Sequence, residues 1–555
     1  MAKKSYVLGI DFGTLSGRAL LVDLSDGSEA ASEVHVYEQG VITSRLPGSK
    51  TRLEPDTALQ DPRDYLEVLR RTVPRVLARA KIAPSQVKGL GVDFTASSPM
   101  ACYACGTPLC FDRKWSGRPH AWVKLWKHHA AQPEADFINE MGLLRNERFI
   151  TAYGGRYSSE WFFSKLLQVV NDDPEIYDAC ERWIEAGDWV VWQLTGRETR
   201  SVCGAGYKAM WVYPYGNGWA YPSPGFFHAL HPKLSNVFDK LCMNLQPLAA
   251  SAGGLSREGA RLTGLKEGTP VAAGLIDAHA AVPATTVVTP GKMVLIMGTS
   301  TCNMILGDDF RPVEGMCGAV RDGIVPGYWG YEAGQAAVGD ILAWYVEKGA
   351  PADWKRKADK AGMDLHQYLS FHAAEKKVGE GGLLALDWWN GNRSVLMDST
   401  LSGCLFGLTL STEPPDIYRA LVEATAFGQR RIMEAFEAQG MAAQEIFACG
   451  GLAGKNEFLM QVYADVLGRA ISVAATDQPG ALGSAIYAAV AAGIYPDLRT
   501  AAGKMARIRE RHFEPNGAHH ERYDLLYTEY LRLHDIFGRH AVPTMRQLRQ
   551  LRQGH

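Results

Sequence analysis

The feature that most constrains this chain occurs twice. Tyr6–Asp11 is a mostly apolar run ending in an aspartate; it passes through Phe12-Gly13-Thr14-Leu15-Ser16-Gly17 and returns as Arg18–Asp23. Lys292–Met297 does the same through Gly298-Thr299-Ser300-Thr301 and returns as Asn303–Leu306. Short apolar runs bounded by Gly, Ser and Thr read as strands joined by tight turns. The first copy continues with a strand at Glu33–Val41 and a helix opened by the cap-and-proline pair Asp61-Pro62. Leu66, Leu69, Val73, Val76 and Leu77 recur there at helical spacing, Pro74 predicts a kink, and Lys88–Thr95 returns as a strand carrying Asp93. The second copy continues with a helix over Asp416–Glu437, a strand at Glu445–Cys449 and a helix over Asn456–Leu467. A strand at Ile471–Ala474 and an Ala-rich helix over Ala481–Ala492 complete it. The pattern predicts a duplicated α/β domain with a cleft between the halves and a boundary near Thr286–Gly291. Beyond Thr500 the chain reads as helical, with Tyr523, Leu526, Tyr530, Leu533 and Phe537 on one face. Arg546, Arg549 and Arg552 read as a solvated basic stripe.

Composition narrows the classes of function. The 58 basic and 60 acidic side chains nearly cancel, so there is no basic footprint of the kind nucleic acid requires. Ten cysteines in 555 residues are too sparse for a disulfide scaffold, and 57 glycines without a period exclude a fibrous protein. Asp11 interrupts the first apolar run too early for a signal peptide. Met293–Leu306 and Gly480–Tyr495 fall short of the ~20 apolar residues of a spanning helix. The expectation is a reduced, cytoplasmic protein with neither nucleic acid nor membrane as partner.

Three segments carry chemistry. A strand ending in Asp11 offers a hard oxygen ligand to hydrated Mg²⁺, and a glycine turn after it lets phosphate approach backbone N–H groups. An ordinary hairpin turn is the alternative, and the second turn at Gly298–Thr301 is what favours a grip on a phosphate chain. In Gly274-Leu275-Ile276-Asp277-Ala278-His279 an apolar strand, Val271–Ile276, delivers Asp277 to a helix start. A carboxylate there either caps the helix or takes a proton from an attacking hydroxyl. His279 on the same apolar segment reads as packing. Gly451-Leu452-Ala453-Gly454-Lys455-Asn456 has the wrong spacing for a P-loop, and Cys102-x-x-Cys105 has no second pair that would make a zinc site.

In this order and spacing the motifs resemble those of the FGGY carbohydrate kinases, across about residues 5–500. Gly403–Glu423, with Gly407-Leu408 before a helix, matches a family signature. Lys124–Gln132, Ser158–Trp161, Glu185–Trp189 and Gly206–Trp211 resemble the members acting on L-ribulose rather than on xylulose or glycerol. The resemblance implies two RNase H-like domains of the actin and sugar-kinase type around a cleft. Residues 1–287 would form the N-terminal sugar-binding domain, 288–500 the C-terminal ATP-binding domain and 501–555 a helical extension. The implied reaction is phosphorylation of O5 of L-ribulose by ATP, giving L-ribulose 5-phosphate and ADP, with another ketopentose or a pentitol as the alternative acceptor. By the same resemblance Asp277 is the catalytic base, and Ala96, Lys208, Asp277 and Glu332 contact the sugar. Gly13, Thr14, Ser16 and Arg18 with Gly298, Thr299, Ser300 and Thr301 bind phosphate. Gly339, Gly450, Gly451 and Asn456 bind the nucleotide, and Asp11 and Asp277 hold Mg²⁺. An actin- or chaperone-like nucleotide switch is the rival from another class; a polar sugar pocket at Lys208 and Glu332 has no purpose there. A homodimer is the default assembly.

Overall fold

The computed structural model describes residues 4–49, 52–213, 220–539 and 542–553. Among these residues two seven-stranded sheets carry the two halves, and six strands of one repeat six of the other; Leu275–Ile276 in the first and Gly318–Arg321 in the second have no counterpart. In the first, Tyr6–Phe12 pairs antiparallel with Ser16–Asp23, and that strand with Glu29–Val36. On its other side Tyr6–Phe12 runs parallel to Val87–Phe94, which runs parallel to Pro270–Ala272, edged antiparallel by Ser251–Gly254. In the second, Lys292–Met297 pairs antiparallel with Thr301–Gly307, and that strand with Trp329–Gln335. Parallel to Lys292–Met297 lies Glu445–Cys449 and then Ile471–Ala474, edged antiparallel by Ile508–Phe513. The same order and the same directions make this a duplicated mixed α/β fold. The central strands are buried on both faces, as strands covered by helices are.

Local chemistry sets the elements. The Asp61 side chain accepts the Arg63 N–H and opens the helix Pro62–Ala80, which runs on through Pro74. Val271–Ile276 is two short strands, Pro270–Ala272 and Leu275–Ile276, each parallel to Val87–Phe94. The strand expected to reach Val41 stops at Val36, where Tyr37 N–H turns inward to the Leu15 carbonyl.

One helix of the second half belongs spatially to the first. Pro479–Ala491 lies on the first sheet because Gly9 and Gly91 leave its backbone room. A Cβ at either position would overlap the carbonyl oxygen of Ala481 or of Ser484. Gly483 lets the same helix touch Asp277–Ala284 through the Ala280 carbonyl. Gly9 thus serves helix packing.

The tail is not helical throughout. After the helix Leu498–Met505, Ile508–Phe513 adds the edge strand of the second sheet, and Gly517–His534 buries Tyr523, Tyr527 and Tyr530 in that half's core. Nor is the terminal stripe wholly solvated. Arg546 pairs with Asp398 at 2.6 Å and Arg549 donates to the Ser399 carbonyl; the Arg552 side chain lies outside the described residues. No helix among the described residues is long and apolar enough to cross a membrane.

Candidate active site

Parallel pairing of Tyr6–Phe12 with Val87–Phe94 sets Asp11 beside Asp93 in register. Both carboxylates sit under the first turn of the helix Pro479–Ala491. There Gly480 leaves just enough room: a Cβ on it would come within 3.2 Å of Asp93 Oδ1 and 3.4 Å of Asp11 Cγ. Ser484 Oγ–H donates to Asp93 Oδ2 at 2.6 Å, whereas Asp93 Oδ1 is buried with no hydrogen-bond partner among the described residues. Burial and the charge of Asp11 push Asp93 well above the usual carboxylate range. Burial raises Asp11 as well, against the opposing pull of Arg18, whose Nε stands 3.2 Å from its Oδ2.

Asp277 is the first residue of the helix Asp277–Ala284, whose cap is Ile276. Its Oδ1 accepts the Ala278 N–H at 2.7 Å. Burial, then repulsion from Asp11, raises its carboxyl to about 7. That value suits proton transfer at neutral pH, and it arises because the two strand-end carboxylates lie near one another in a poorly hydrated cleft.

Across the cleft, Lys208 at the end of Val202–Lys208 meets Glu332 on Trp329–Gln335, with Nζ 3.2 Å from Oε1 and 2.9 Å from Oε2. Both are buried. Burial alone would neutralise the two groups, but each reverses the other's shift: Lys208 is raised and Glu332 lowered, so both stay charged. His279 is fully buried with its ring 4.1 Å from that of Tyr207 and Nε2 3.4 Å from Glu332 Oε2. Burial drives it down to about 4, so it is a neutral, packed histidine.

The two glycine turns close in the same manner, the first over four residues and the second over three. Gly13 N–H donates to the Ser16 carbonyl and Gly298 N–H to the Ser300 carbonyl, so each first glycine closes its own turn. Thr14 is pinned from behind, its carbonyl accepting from Gln60 Nε2 (2.7 Å) and its Oγ1 from Trp126 Nε1 (3.0 Å). Gly298 and Thr299 are exposed, while Thr301 is buried at the start of the returning strand. Gly339 and Gly450 converge on the second turn. A Cβ on Gly339 would lie 2.6 Å from the Gly298 carbonyl oxygen, and one on Gly450, at φ 94°, would overlap the Met297 carbonyl. Gly451 faces open space. The Asn456 side chain is occupied: Oδ1 accepts the Leu459 N–H at 3.0 Å as a helix cap, and Nδ2 reaches Ser370 Oγ at 3.5 Å. Ala96 stands apart on the turn after Val87–Phe94, the one position of 91–100 that is not buried.

Comparison with known proteins decides the family. The FGGY family of carbohydrate kinases matches twice, its N-terminal domain over residues 6–283 and its C-terminal domain over 293–492. The chain belongs to the FGGY family of carbohydrate kinases. It is 53% identical to a ribulokinase of Shouchella clausii over 554 residues, covering 99% of this chain and 98% of that one. It is 52% identical to a ribulokinase of Anoxybacillus flavithermus over 555 residues, with the same coverage. Among solved structures a gluconate kinase from Lactobacillus acidophilus superposes with a TM-score of 0.79 at 16% identity, over 97% of this chain and 99% of that one; this likeness concerns the fold.

Within this FGGY kinase, three polar residues near the cleft belong to no motif: Asp93, noted in the sequence only as part of its strand, Lys165 and Arg393. Asp93 ends a strand in register with Asp11, a signal present once strand pairing is known. Lys165 is a charge inside an apolar helix face, with Leu166, Val169 and Val170 beside it. Arg393 Nη2 approaches Glu160 Oε1 at 3.6 Å from the other half; a separation of this length in sequence left no local sign.

Proposed function

We propose that this FGGY kinase transfers the terminal phosphoryl group of ATP to O5 of L-ribulose, giving L-ribulose 5-phosphate and ADP. The observation that carries the reading is the placement of Asp277 at a helix start, close enough to Asp11 and to the buried Lys208–Glu332 pair for each to act on its carboxyl, which burial raises to about 7. A base poised near the working pH accepts the O5 proton as that oxygen attacks phosphorus. Lys208 and Glu332 offer donors and acceptors to ketose hydroxyls, with Ala96 on the neighbouring turn as a further contact. A polar pocket of this kind rejects an analogue lacking a partner hydroxyl more strongly than an apolar one does. The two turns, through residues beyond their closing glycines, supply backbone donors to charge on the transferred group. Arg18 lies near that group through its pairing with Asp11. Gly339 and Gly450 shape the second turn for the nucleotide, with Gly451 open beside it and Asn456 fixing the helix that follows.

Asp11 and Asp277 are the proposed holders of Mg²⁺. Crowded carboxylates with raised pKa values and the unpartnered Oδ1 of Asp93 fit a hard divalent cation held by one or two carboxylates, water and phosphate oxygens. Among the described residues no group of three His, Cys, Asp or Glu side chains forms a metal site by itself. When bound, the ion neutralises charge on the phosphates. The proposed compartment is the cytoplasm, which suits ten cysteines with no disulfide among them.

The test is kcat/KM over a panel of L-ribulose, D-ribulose, xylulose, ribitol and glycerol, read by ADP release. L-Ribulose is expected to lead. Comparable efficiency on xylulose or glycerol with none on L-ribulose overturns the reading.

A further inference from the structure

The turn that presents Ala96 is held by two buried charges that no step above uses. Lys165, on the helix Phe162–Asp172, is fully buried, and its ammonium points at three backbone carbonyls. It donates to Ser97 at 2.7 Å, to Leu125 at 2.8 Å and to Lys124 at 3.3 Å. Glu185, at the end of the strand Arg182–Glu185, is also buried and approaches the same turn. Its carboxylate accepts the Ser98 N–H at 2.7 Å and the Ser97 hydroxyl. Three further bonds tie the backbone and Ser98 hydroxyl of the turn, while the Thr95 hydroxyl is buried with no partner among the described residues. Ser98 Oγ donates to the Thr95 carbonyl at 2.8 Å, Ala186 N–H to the Ser98 carbonyl at 3.0 Å and Thr95 N–H to the Phe12 carbonyl at 3.1 Å. Every residue of the turn is buried except Ala96.

Burying an ammonium and a carboxylate is unfavourable unless their hydrogen bonds are made and a counter-charge is near. Here the hydrogen bonds converge on one residue, Ser97, whose carbonyl takes the lysine while its hydroxyl takes the glutamate; each charge opposes the other's shift, yet burial still lowers Lys165 to about 7 and raises Glu185. Their other electrostatic neighbours are Lys124, Glu160 and Lys208, the last of which pairs with Glu332. A core of this kind could have been apolar; the charges converge on one short turn in which only Ala96 is left partly exposed.

We propose that Lys165 and Glu185 are positioning residues that clamp the 95–98 turn, and through it the Ala96 peptide, in the geometry that receives the ketose. The clamp holds the turn before the sugar arrives, so binding does not have to order it. This rests on the reading of Ala96 as a sugar contact.

The test uses the full chain with L-ribulose and ATP. Lys165→Met and Glu185→Leu are expected to raise KM for L-ribulose by about tenfold or more while KM for ATP stays within about twofold. Glu185→Gln, which still accepts from Ser98 N–H, should recover most of the loss. Ser97→Ala removes only the hydroxyl bond and should raise the sugar KM by about threefold, so it carries the test should either larger change fail to fold. Folded variants with an unchanged sugar KM, or with both KM values shifted equally, overturn the proposal. Ala96→Leu separates the two readings. An unchanged sugar KM in that variant refutes Ala96 as a contact. A raised one beside unaltered Lys165, Glu185 and Ser97 variants refutes the clamp alone.

Discussion

Asp277 owes its character to where it sits rather than to its type. An exposed aspartate is half ionised near pH 4, whereas burial and the charge of Asp11 carry this one to about 7. Asp277→Asn keeps the shape and removes the proposed base, so kcat should fall by about 10³ while sugar affinity, read by tryptophan fluorescence, is largely kept. A kcat within tenfold of the parent would remove the role. Lys208 and Glu332 illustrate a second residue-level rule. Lys208→Met leaves a buried carboxylate without its partner and should destabilise the protein by about 3–5 kcal/mol, besides weakening the sugar. Adding Glu332→Gln removes the stranded charge, so denaturant unfolding should recover much of the stability without recovering sugar affinity. Recovery of both would mean that the pair serves the fold alone. Legibility at this scale was uneven. Asp11, Asp277 and the two turns stood out because each lies where an apolar strand runs into a turn or a helix start, a pattern visible locally. Asp93, Lys165 and Arg393 did not, since their significance comes from partners far along the chain.

At the scale of elements, close approach explains which glycines matter. Gly483→Ala would drive a Cβ into the Ala280 carbonyl and part the helix that begins at Asp277 from Pro479–Ala491. The expected result is a stability loss above about 3 kcal/mol together with a lower kcat. Gly451→Ala meets nothing within 4 Å and should leave stability within about 0.5 kcal/mol, so any rise in KM for ATP there would report the nucleotide directly. The tail helix makes a pH-dependent contact. Tyr530 OH and Gln335 Nε2 both donate to Asp387, yet burial outweighs them and holds that carboxyl at about 6. Between about pH 4 and 6 the folded state therefore binds more proton than the unfolded chain. Stability attributable to Asp387 is present at low pH and lost as pH rises through that window, by at most about 3 kcal/mol. On moving from pH 4.5 to 7, Asp387→Asn should gain thermal stability relative to the parent. A constant difference in Tm would sink this account.

For the whole molecule, the two halves are interleaved rather than merely adjacent. A helix of the second lies on the first sheet, Lys208 reaches Glu332, and Arg393 reaches Glu160. The tail belongs to the second half's sheet and core. Ending the chain after Lys504 strips an edge strand and three buried tyrosines, and the product should fail to unfold cooperatively; ending it after Arg539 loses the buried Met545 with the Asp398 and Ser399 contacts and should stay folded with a lower Tm. Circular dichroism melts of the two truncations decide the point. By itself the sequence determined the duplication, most strand and helix positions and the motif order that reveals the family, because strand alternation, helix spacing and glycine turns are local signals. Tertiary structure alone decided that Gly9 serves helix packing, that a strand interrupts the tail and that Asp277 titrates near neutrality. Those outcomes depend on what a distant segment brings within a few ångströms and on how far it excludes water, and neither quantity is written in the neighbouring residues.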